Sequence, residues 1–405
     1  LAVIQPVATS HDLHEQRLPP SPNSVHIHHT HTRTHIIIIV IIFNMRNLAT
    51  ICPLAFSLLP AIARAACECG YSANITGIVE VFTDLIETDF TKVMDIKNNT
   101  DWVRQEFNKT NSNARGPLGE KFQPTNIAAV HEGSSSYGLS STKADAGLQL
   151  LVESSTVDGL VPVAEIDSAR HDVHHGSFRA MMKVPDVAGT CAAFFWYHND
   201  TQEIDMEFLT REFSPANNSF PVNIVLHSRA SLEKGYDASG TGNFLKVNLG
   251  FDPTTDFHEY RIDYLRDEVT FYADGKVLGA MNGSAVPTEG GHLILQHWSN
   301  GNPLWSGGPP KRDAILTVAS VKAYFNSSLD ARKADYESRC IDPAAPSAVC
   351  AIPDDSAFFF STQANMTNNQ TVSGMSGSEH SVAGMVNAPS WVLVFAWLFL
   401  GVWFI

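Results

Sequence analysis

The sequence is short of basic residues. Its 405 residues include 27 Lys and Arg against 42 Asp and Glu, and the formal net charge is −15. Proteins that recognise nucleic acids need basic patches to neutralise phosphates. The charge balance therefore argues against a nucleic-acid partner.

The sequence also lacks the patterns of several enzyme classes. It has no phosphate-binding glycine loop and no nucleophilic serine elbow. Long amphipathic helical patterns are rare, with helical character only at 84–107 and 328–338. Short alternating or apolar runs separated by turn residues predominate, which predicts an all-β fold of the sandwich type. These runs are 147–153, 176–184, 191–198, 203–210, 222–227, 258–265, 269–273 and 314–325.

The amino-terminal part does not read as a folded domain. Residues 1–44 are of low complexity and contain a His-rich stretch, which is compatible with a metal-binding tract or with upstream sequence foreign to the mature protein. Residues 45–65 have the basic start, the apolar run and the A-x-A cleavage motif of a secretory signal peptide. We expect the mature chain to begin near Ala66 and exclude residues 1–44 from the fold.

Cysteines are few, and secretion would place them in an oxidising compartment, where they are disulfide candidates before metal ligands. Cys67 and Cys69 are too close in sequence to pair easily with each other. Pairing of this doublet with Cys340 and Cys350 would join the two ends of one domain, with the connectivity left open. Cys191 lies in an apolar stretch and is predicted to be a buried free thiol.

The carboxyl-terminal part also carries targeting features. Residues 351–390 are rich in Ser, Thr, Asn and Gly, which is typical of a flexible stalk. Small residues at 376–378, a polar spacer and the apolar tail 391–405 form the pattern of a GPI-attachment signal. A tail anchor is the alternative, but about 15 residues are short for a span that needs about 20. We predict that a GPI anchor is the protein's only link to the membrane.

One stretch carries three carboxylates in strand-like alternation. Glu203, Asp205 and Glu207 alternate with apolar residues, so they share one face of a strand. At roughly 3.3 Å per residue, the Cα atoms of Glu203 and Glu207 lie about 13 Å apart. If their side chains lean toward each other, the two carboxyl groups can come within about 5 Å. This is about the carboxyl separation that a retaining glycosidase requires. The alternative is an exposed acidic strand face. Three carboxylates directly after the apolar-aromatic run 192–197 favour catalysis, with at least one carboxyl pKa raised by crowding.

The stretch 203–208 resembles the E-x-D-x-E signature of glycoside hydrolase family 16. The resemblance implies that Glu203 is the nucleophile, Glu207 the acid/base and Asp205 an assisting residue. It also implies a β-sandwich jelly roll of the concanavalin A-like lectin and glucanase type, with two packed antiparallel sheets and a substrate cleft across the concave one. Stretches 175–180, 256–264 and 269–277 are similar to the family as well, so about two hundred residues are covered. The motif lacks the extra residue of laminarinase-like members and is closer to the lichenase and transglycosylase branches.

Sugar binding needs aromatic platforms with polar groups at their rims. For each candidate Trp the alternative is core packing, and for each His a structural hydrogen bond. The spacing of His171, His174 and His175 does not place three ligands on one strand face, so we predict no metal site, and the chemistry needs no cofactor. The predicted substrate-binding residues are Trp196, Tyr197, His198, Gln296, His297, Trp298 and Trp305.

N-x-Ser/Thr sequons are a further indication of secretion. At Asn199 glycosylation is left open, because a glycan there would crowd Glu203. The predicted glycosylation sites are Asn74, Asn98, Asn108, Asn217, Asn282, Asn326, Asn365 and Asn369.

Together these features predict a catalytic domain at 66–350 in a secreted, monomeric protein anchored at the cell surface or wall, of a kind typical of fungi. The predicted function is a retaining endo-β-glucanase that hydrolyses β-1,3 or β-1,3/1,4 glucan. A wall transglycosylase with the same carboxylates is the alternative. A non-catalytic polysaccharide-binding protein is a third hypothesis, against which the retained carboxylates argue.

Overall fold

The computed structural model describes residues 66–75, 77–131, 135–136, 139–140, 146–363 and 366. The predicted upstream segment 1–44, the signal peptide 45–65, most of the stalk with its GPI signal, the tail 391–405 and the sequons Asn365 and Asn369 lie outside these residues. They stay predictions.

Most of the described chain is extended. The first strands are β1 (Tyr71–Ile75), β2 (Ile78–Phe82), β3 (Asp84–Asp89), β4 (Trp102–Arg104), β5 (Phe107–Lys109), β6 (Gly119–Phe122), β7 (Ile127–Val130), β8 (Ser135–Ser136), β9 (Leu139–Ser140), β10 (Gly147–Val152) and β11 (Leu160–Ser168). The later strands are β12 (Val173–Lys183), β13 (Cys191–Asn199), β14 (Gln202–Leu209), β15 (Pro221–His227), β16 (Phe244–Asn248), β17 (His258–Tyr264), β18 (Glu268–Ala273), β19 (Lys276–Asn282), β20 (His292–Trp298), β21 (Ala314–Ser327) and β22 (Cys350–Ala351).

Helices are short in the described chain. The α-helices are α1 (Asn111–Ala114), α2 (Arg229–Glu233) and α3 (Asp330–Arg339), and single 3₁₀ turns occur at Phe90–Lys92, Ile96–Asn98, Pro124–Asn126, Thr210–Glu212, Pro215–Asn217 and Phe360–Thr362. None of these helices is long and apolar enough to cross a membrane.

Two large sheets form the sandwich in the described part of the chain. One has eight strands in the order β19-β18-β17-β12-β21-β10-β7, with β3 added beside β21. The other has nine strands in the order β16-β15-β14-β13-β20-β11-β6-β5, with β4 added beside β11. Buried side chains from both sheets, such as Phe178 and Tyr260 from the first and Phe194 and Phe208 from the second, form one continuous core. The predicted all-β sandwich of packed, mainly antiparallel sheets is confirmed.

The predicted strands agree with the structure to within a few residues at each end. The helical prediction at 84–107 is wrong, because Asp84–Asp89 forms β3 and pairs with β21. Five of its six residues are buried between sheet neighbours, so sheet pairing outweighs the local pattern. The predicted carboxyl-terminal helix is confirmed as α3.

Disulfides join the two ends of the domain. Cys67 bonds to Cys350 and Cys69 to Cys340, while Cys191 is free and buried. The predicted set of paired cysteines and the buried thiol are confirmed, and the structure supplies the connectivity.

The folded domain continues past the predicted boundary at residue 350. Phe360 is 4% exposed and packs in a second core cluster with Tyr71 and Tyr324. The backbone N–H groups of Phe360 and Ser361 donate to the buried carboxylate of Glu87. The segment 351–363 is therefore part of the domain, and a flexible stalk can begin only after it.

Candidate active site

The three predicted carboxylates lie on one face of β14, an interior strand between β13 and β15. Ile204 and Met206 point into the core between the sheets. Because successive side chains on a strand point to opposite faces, Glu203, Asp205 and Glu207 lie on the outer face of the nine-stranded sheet. We call these three residues the carboxylate row.

The neighbouring strands do not neutralise the row. The residues directly opposite it on β13 and β15 include no Lys or Arg. His227, opposite Glu203, brings its Nε2 to 3.8 Å from Asp205 Oδ2. Burial lowers the pKa of His227 to about 4, so the ring is neutral at pH 7 and this contact is not an ion pair. Burial and mutual repulsion therefore favour protonation of at least one carboxyl group in the row.

Asp205 is the member of the row that holds a proton. It is 3% exposed, and burial, together with the nearby charges of Glu203 and Glu207, raises the pKa of Asp205 well above its usual range. A protonated Asp205 donates a hydrogen bond to Glu203, and this bond lowers the pKa of Glu203. Its buried Oδ2 has no hydrogen-bond partner among the described residues, which costs less for a neutral carboxyl group than for an ionised one.

Different hydrogen-bond partners act on the pKa values of Glu203 and Glu207. Burial and the charge of Glu207 raise the pKa of Glu203 to about 7, against the hydrogen bond from Asp205. Burial also raises the pKa of Glu207. The indole N–H of Trp305 donates to Glu207 Oε1 at 3.1 Å, and the thiol of Cys191 donates to the same oxygen at 3.4 Å. Both bonds favour the ionised form of Glu207 and oppose the effect of burial.

Four of the predicted substrate-binding residues lie on the outer face with the row. They are Tyr197, Gln296, Trp298 and Trp305. Three of them, the aromatic ones, pack partly buried around an apolar cluster on this face. Gln296 is the fourth and donates its amide to Glu165 on β11.

The other three predicted residues, Trp196, His198 and His297, do not lie on the outer face beside the row. The prediction that Trp196 and His297 bind substrate is wrong. Both are 0% exposed in the core, where Trp196 donates its indole N–H to the Val173 carbonyl and His297 Nδ1 contacts the Leu150 carbonyl. His198 is exposed at the end of β13 and contacts the Gly290 carbonyl through Nδ1, which matches the structural alternative.

A second acidic group, which was not predicted, lies on the same face, three to four strands away from the row. It consists of Glu165 and Asp167 on β11 and Glu120 on β6. Burial raises the pKa of Glu120 to about 7 and that of Asp167 to about 8, and it also raises the pKa of Glu165. The signal was present in the sequence, because Glu165 and Asp167 alternate around Ile166 as the row does around Ile204.

The described residues contain no cluster of three or more His, Cys, Asp or Glu side chains arranged to hold a metal ion. His174 and His175 stack on each other at 3.8 Å between ring centroids and pack against Tyr264. The His-rich stretch at 171–175 thus contributes to packing beside the core.

A row of buried carboxylates on an outer sheet face supplies the paired carboxyl groups that glycoside hydrolysis requires. Residues 135–312 match the sequence model of the family described as glycosyl hydrolases family 16. The matched segment includes the carboxylate row, in agreement with the resemblance of 203–208 to the signature of that family.

Known proteins are similar to part of the chain. A β-glucanase of Acetivibrio thermocellus is 30% identical over 159 residues, which are 37% of this chain and 42% of the relative. A probable xyloglucan endotransglucosylase/hydrolase protein 27 of Arabidopsis thaliana is 29% identical over 140 residues, 33% of this chain and 38% of the relative. The chain thus spans less than half the length of these relatives.

One solved structure can be compared with the chain. A Bacillus licheniformis β-glucanase is aligned over 59% of this chain and 97% of its own, with 17% identity and a TM-score of 0.45.

Proposed function

We propose that the domain is a retaining endo-β-glucanase that cleaves β-1,3 or β-1,3/1,4 glucan. The observation that carries this proposal is the carboxylate row, in which a buried, protonated Asp205 separates two glutamates with distinct partners. Two carboxyl groups with different environments are what the acid and nucleophile roles require. The β-glucanase among the relatives supports glucan as the substrate class.

In the first step Glu203 attacks the anomeric carbon. The glycosidic bond breaks as Glu207 gives its proton to the leaving oxygen, and a covalent glycosyl-enzyme forms on Glu203. The hydrogen bond from Asp205 stabilises the negative charge of Glu203 before the attack. It does so again when Glu203 is released from the glycosyl-enzyme. In the second step Glu207 takes a proton from the incoming hydroxyl, whose oxygen bonds to the anomeric carbon and releases Glu203.

The outer face offers polar and aromatic groups to a sugar chain that lies across the strands. Ala193 separates Glu207 from Gln296 in the cross-strand register, and Glu165 follows on the next strand. A small residue at position 193 leaves room above the sheet, and Trp298 packs beside it. This pattern of apolar surface with polar groups suits pyranose rings.

A transglycosylase that uses the same carboxylates is the second candidate. It differs only in the acceptor, which is the hydroxyl of another sugar chain instead of water. The name of the plant relative, an endotransglucosylase/hydrolase, supports this candidate. A purely polysaccharide-binding role would not require three carboxylates to be retained.

We further propose that the protein acts as a monomer outside the cell, held at the surface or wall by a GPI anchor. The signal-peptide pattern, the GPI-signal pattern and the sequons support this location. The two disulfides of the domain are of the kind that persist in oxidising compartments.

The test uses the chain secreted from a eukaryotic host and incubated with laminarin, lichenan or xyloglucan, with and without a labelled oligosaccharide acceptor. Products are resolved by size. Short products without label transfer support the glucanase and identify its linkage, whereas label in long chains supports the transglycosylase. The Glu203→Ala variant should be inactive, while Glu106→Gln, which alters an exposed glutamate, should match the parent. Normal turnover by Glu203→Ala would contradict the proposal.

A further inference from the structure

Side chains from two separate loops meet above the carboxylate row. The guanidinium of Arg115, just after α1, stacks on the ring of Tyr236 at 4.2 Å from its centroid. The hydroxyl of Tyr236 donates to Asp200 Oδ2 at 2.7 Å, and the hydroxyl of Tyr197 donates to Asp200 Oδ1 at 2.9 Å. We call the chain of contacts Arg115–Tyr236–Asp200–Tyr197 the strap.

One end of the strap is fixed where Glu207 lies. The side-chain amide of Asn302 donates to the Arg115 carbonyl at 3.2 Å, and that of Asn300 donates to the Ala114 carbonyl at 2.5 Å. Asn300 and Asn302 follow the carboxyl end of β20, the end of the sheet nearest to Glu207.

The other end is fixed where Glu203 lies. Asp200 forms the turn between β13 and β14, next to the Tyr197–Glu203 pair. Tyr236 follows α2 in the connection between β15 and β16. His227, the last residue of β15, is opposite Glu203. The strap therefore runs parallel to the strands, from one end of the row to the other, and a sugar chain lying across the strands would cross beneath it.

The electrostatics agree with this position. The charge of Arg115 acts on all three members of the row and lowers the pKa of Glu203, Asp205 and Glu207. It also acts on His227 at the far side of Glu203. Coulomb interactions weaken with distance, so these effects agree with a guanidinium near the row, where the contacts of the strap hold it.

The links of the strap differ in strength. Asp200 is ionised, because hydrogen bonds from Tyr236 and Tyr197 outweigh burial and lower its pKa. Hydrogen bonds to an ionised acceptor are the stronger kind. The contact between Arg115 and Tyr236 is a cation–π contact at an exposed site, which is weak. Of the contacts in the strap, this one is therefore the easiest to break.

We propose that Arg115 and Tyr236 are specificity-determining residues that close over the glycosyl-enzyme and favour a sugar hydroxyl over water as its acceptor. The proposal rests on the part of the proposed function that both candidates share, namely the glycosyl-enzyme formed on Glu203, and it favours the transglycosylase as the second step. In the second step the acceptor gives its proton to Glu207, its oxygen bonds to the anomeric carbon, and the bond to Glu203 breaks. Water and sugar compete for this step. A closed strap limits entry of bulk water, while a sugar chain that already lies beneath it remains in place.

The decisive variant is Tyr236→Ala, which removes the stacking surface and keeps the charge of Arg115 above the row. We expect the ratio of label transfer to hydrolysis, measured on the glucan that the parent cleaves, to fall about two- to fivefold, the change that corresponds to loss of one exposed cation–π contact. Arg115→Ala should lower the ratio as well, and Arg115→Lys should restore part of it. Tyr236→Phe keeps the ring but loses Asp200, so it should lie between the parent and Tyr236→Ala.

The matched control is Arg229→Ala, which removes an exposed arginine from α2, outside the strap. It should leave the ratio unchanged. An unchanged ratio in Tyr236→Ala and Arg115→Ala, in a parent that is active, would overturn the role of the strap and leave the proposed function standing. A parent that is inactive on every glucan would overturn the proposed function and the strap's role with it.

Discussion

At the scale of single residues, Asp205 acts on Glu203 as a hydrogen-bond donor and not as a second charge. Asparagine retains a donor at this position and alanine does not. We therefore expect Asp205→Asn to lose about tenfold in kcat/KM and Asp205→Ala about a hundredfold, in line with the worth of a hydrogen bond to a charged group.

The pH profile of kcat/KM distinguishes this account from simple loss of packing. The hydrogen bond from Asp205 lowers the pKa of Glu203, so its removal raises that pKa. Because the nucleophile must be ionised, the acidic limb of Asp205→Ala should move to higher pH. A limb that stays in place in both variants would show that Asp205 does not tune Glu203.

Trp305 influences the pKa of Glu207, the other glutamate of the row. Its indole N–H lowers the pKa of Glu207 by donating to Oε1. Trp305→Phe removes the donor and keeps an aromatic ring, so the pKa of Glu207 should rise. The general acid then stays protonated to higher pH, and the basic limb of the profile should move upwards while kcat/KM falls by about tenfold.

Trp298→Phe is the matched control, since Trp298 packs on the same apolar cluster and no donation from it to the row is found in the described structure. It should leave the basic limb unchanged. Equal shifts in both variants would mean that the effect comes from the cluster and not from the indole of Trp305.

At the scale of secondary-structure elements, strand alternation explains what could be predicted. The row was predictable because three like residues in alternation must share a face. Trp196 and Tyr197 are neighbours on one strand, so only one of them can lie on the outer face. The choice depends on the register of β13 against β14, in which Trp196 is opposite the buried Ile204. Register is set by pairing between distant strands and could not be derived from the local sequence.

The same limit explains the missed contacts. Trp305 lies 98 residues from Glu207 in sequence. Nothing local to either residue predicts their hydrogen bond. The buried ion cluster around Asp84 is another long-range feature, because Asp84 accepts from Arg170 at 3.0 Å and from Arg332 on α3 at 2.8 Å.

This cluster provides a prediction for α3. Asp84 is 0% exposed, and its removal leaves two buried guanidinium groups short of an acceptor. We expect Asp84→Ala to lower the free energy of unfolding by about 3 to 5 kcal/mol. Urea denaturation at neutral pH measures this change.

Asp335→Ala is the control for that experiment. Asp335 is 44% exposed at its side chain and pairs with Arg332 and Arg339 within α3. Solvent screens the exposed carboxylate of Asp335, so the variant should lose at most about 1 kcal/mol. Similar losses in the two variants would mean that the cluster around Asp84 is not an energetic unit.

At the scale of the whole molecule, the two disulfides act as one closure of the chain. Cys67–Cys350 spans 283 residues and Cys69–Cys340 spans 271. Either bond alone closes the long loop. The other then closes only the short segments between the two bonds, so its additional effect on the entropy of the unfolded chain is smaller.

Because the loop closed by Cys69–Cys340 lies within the loop closed by Cys67–Cys350, loop-closure entropy predicts how the free energy of unfolding changes when the disulfides are removed. Replacing one pair, for example Cys67→Ser with Cys350→Ser, should cost about 3 kcal/mol in the free energy of unfolding, and replacing both pairs about 8 kcal/mol. The double replacement should therefore cost more than the sum of the two single ones. Urea unfolding of the three variants and the parent forms a complete cycle. Additive losses would show that each disulfide acts through local native contacts and not through a shared closure of the domain's two ends.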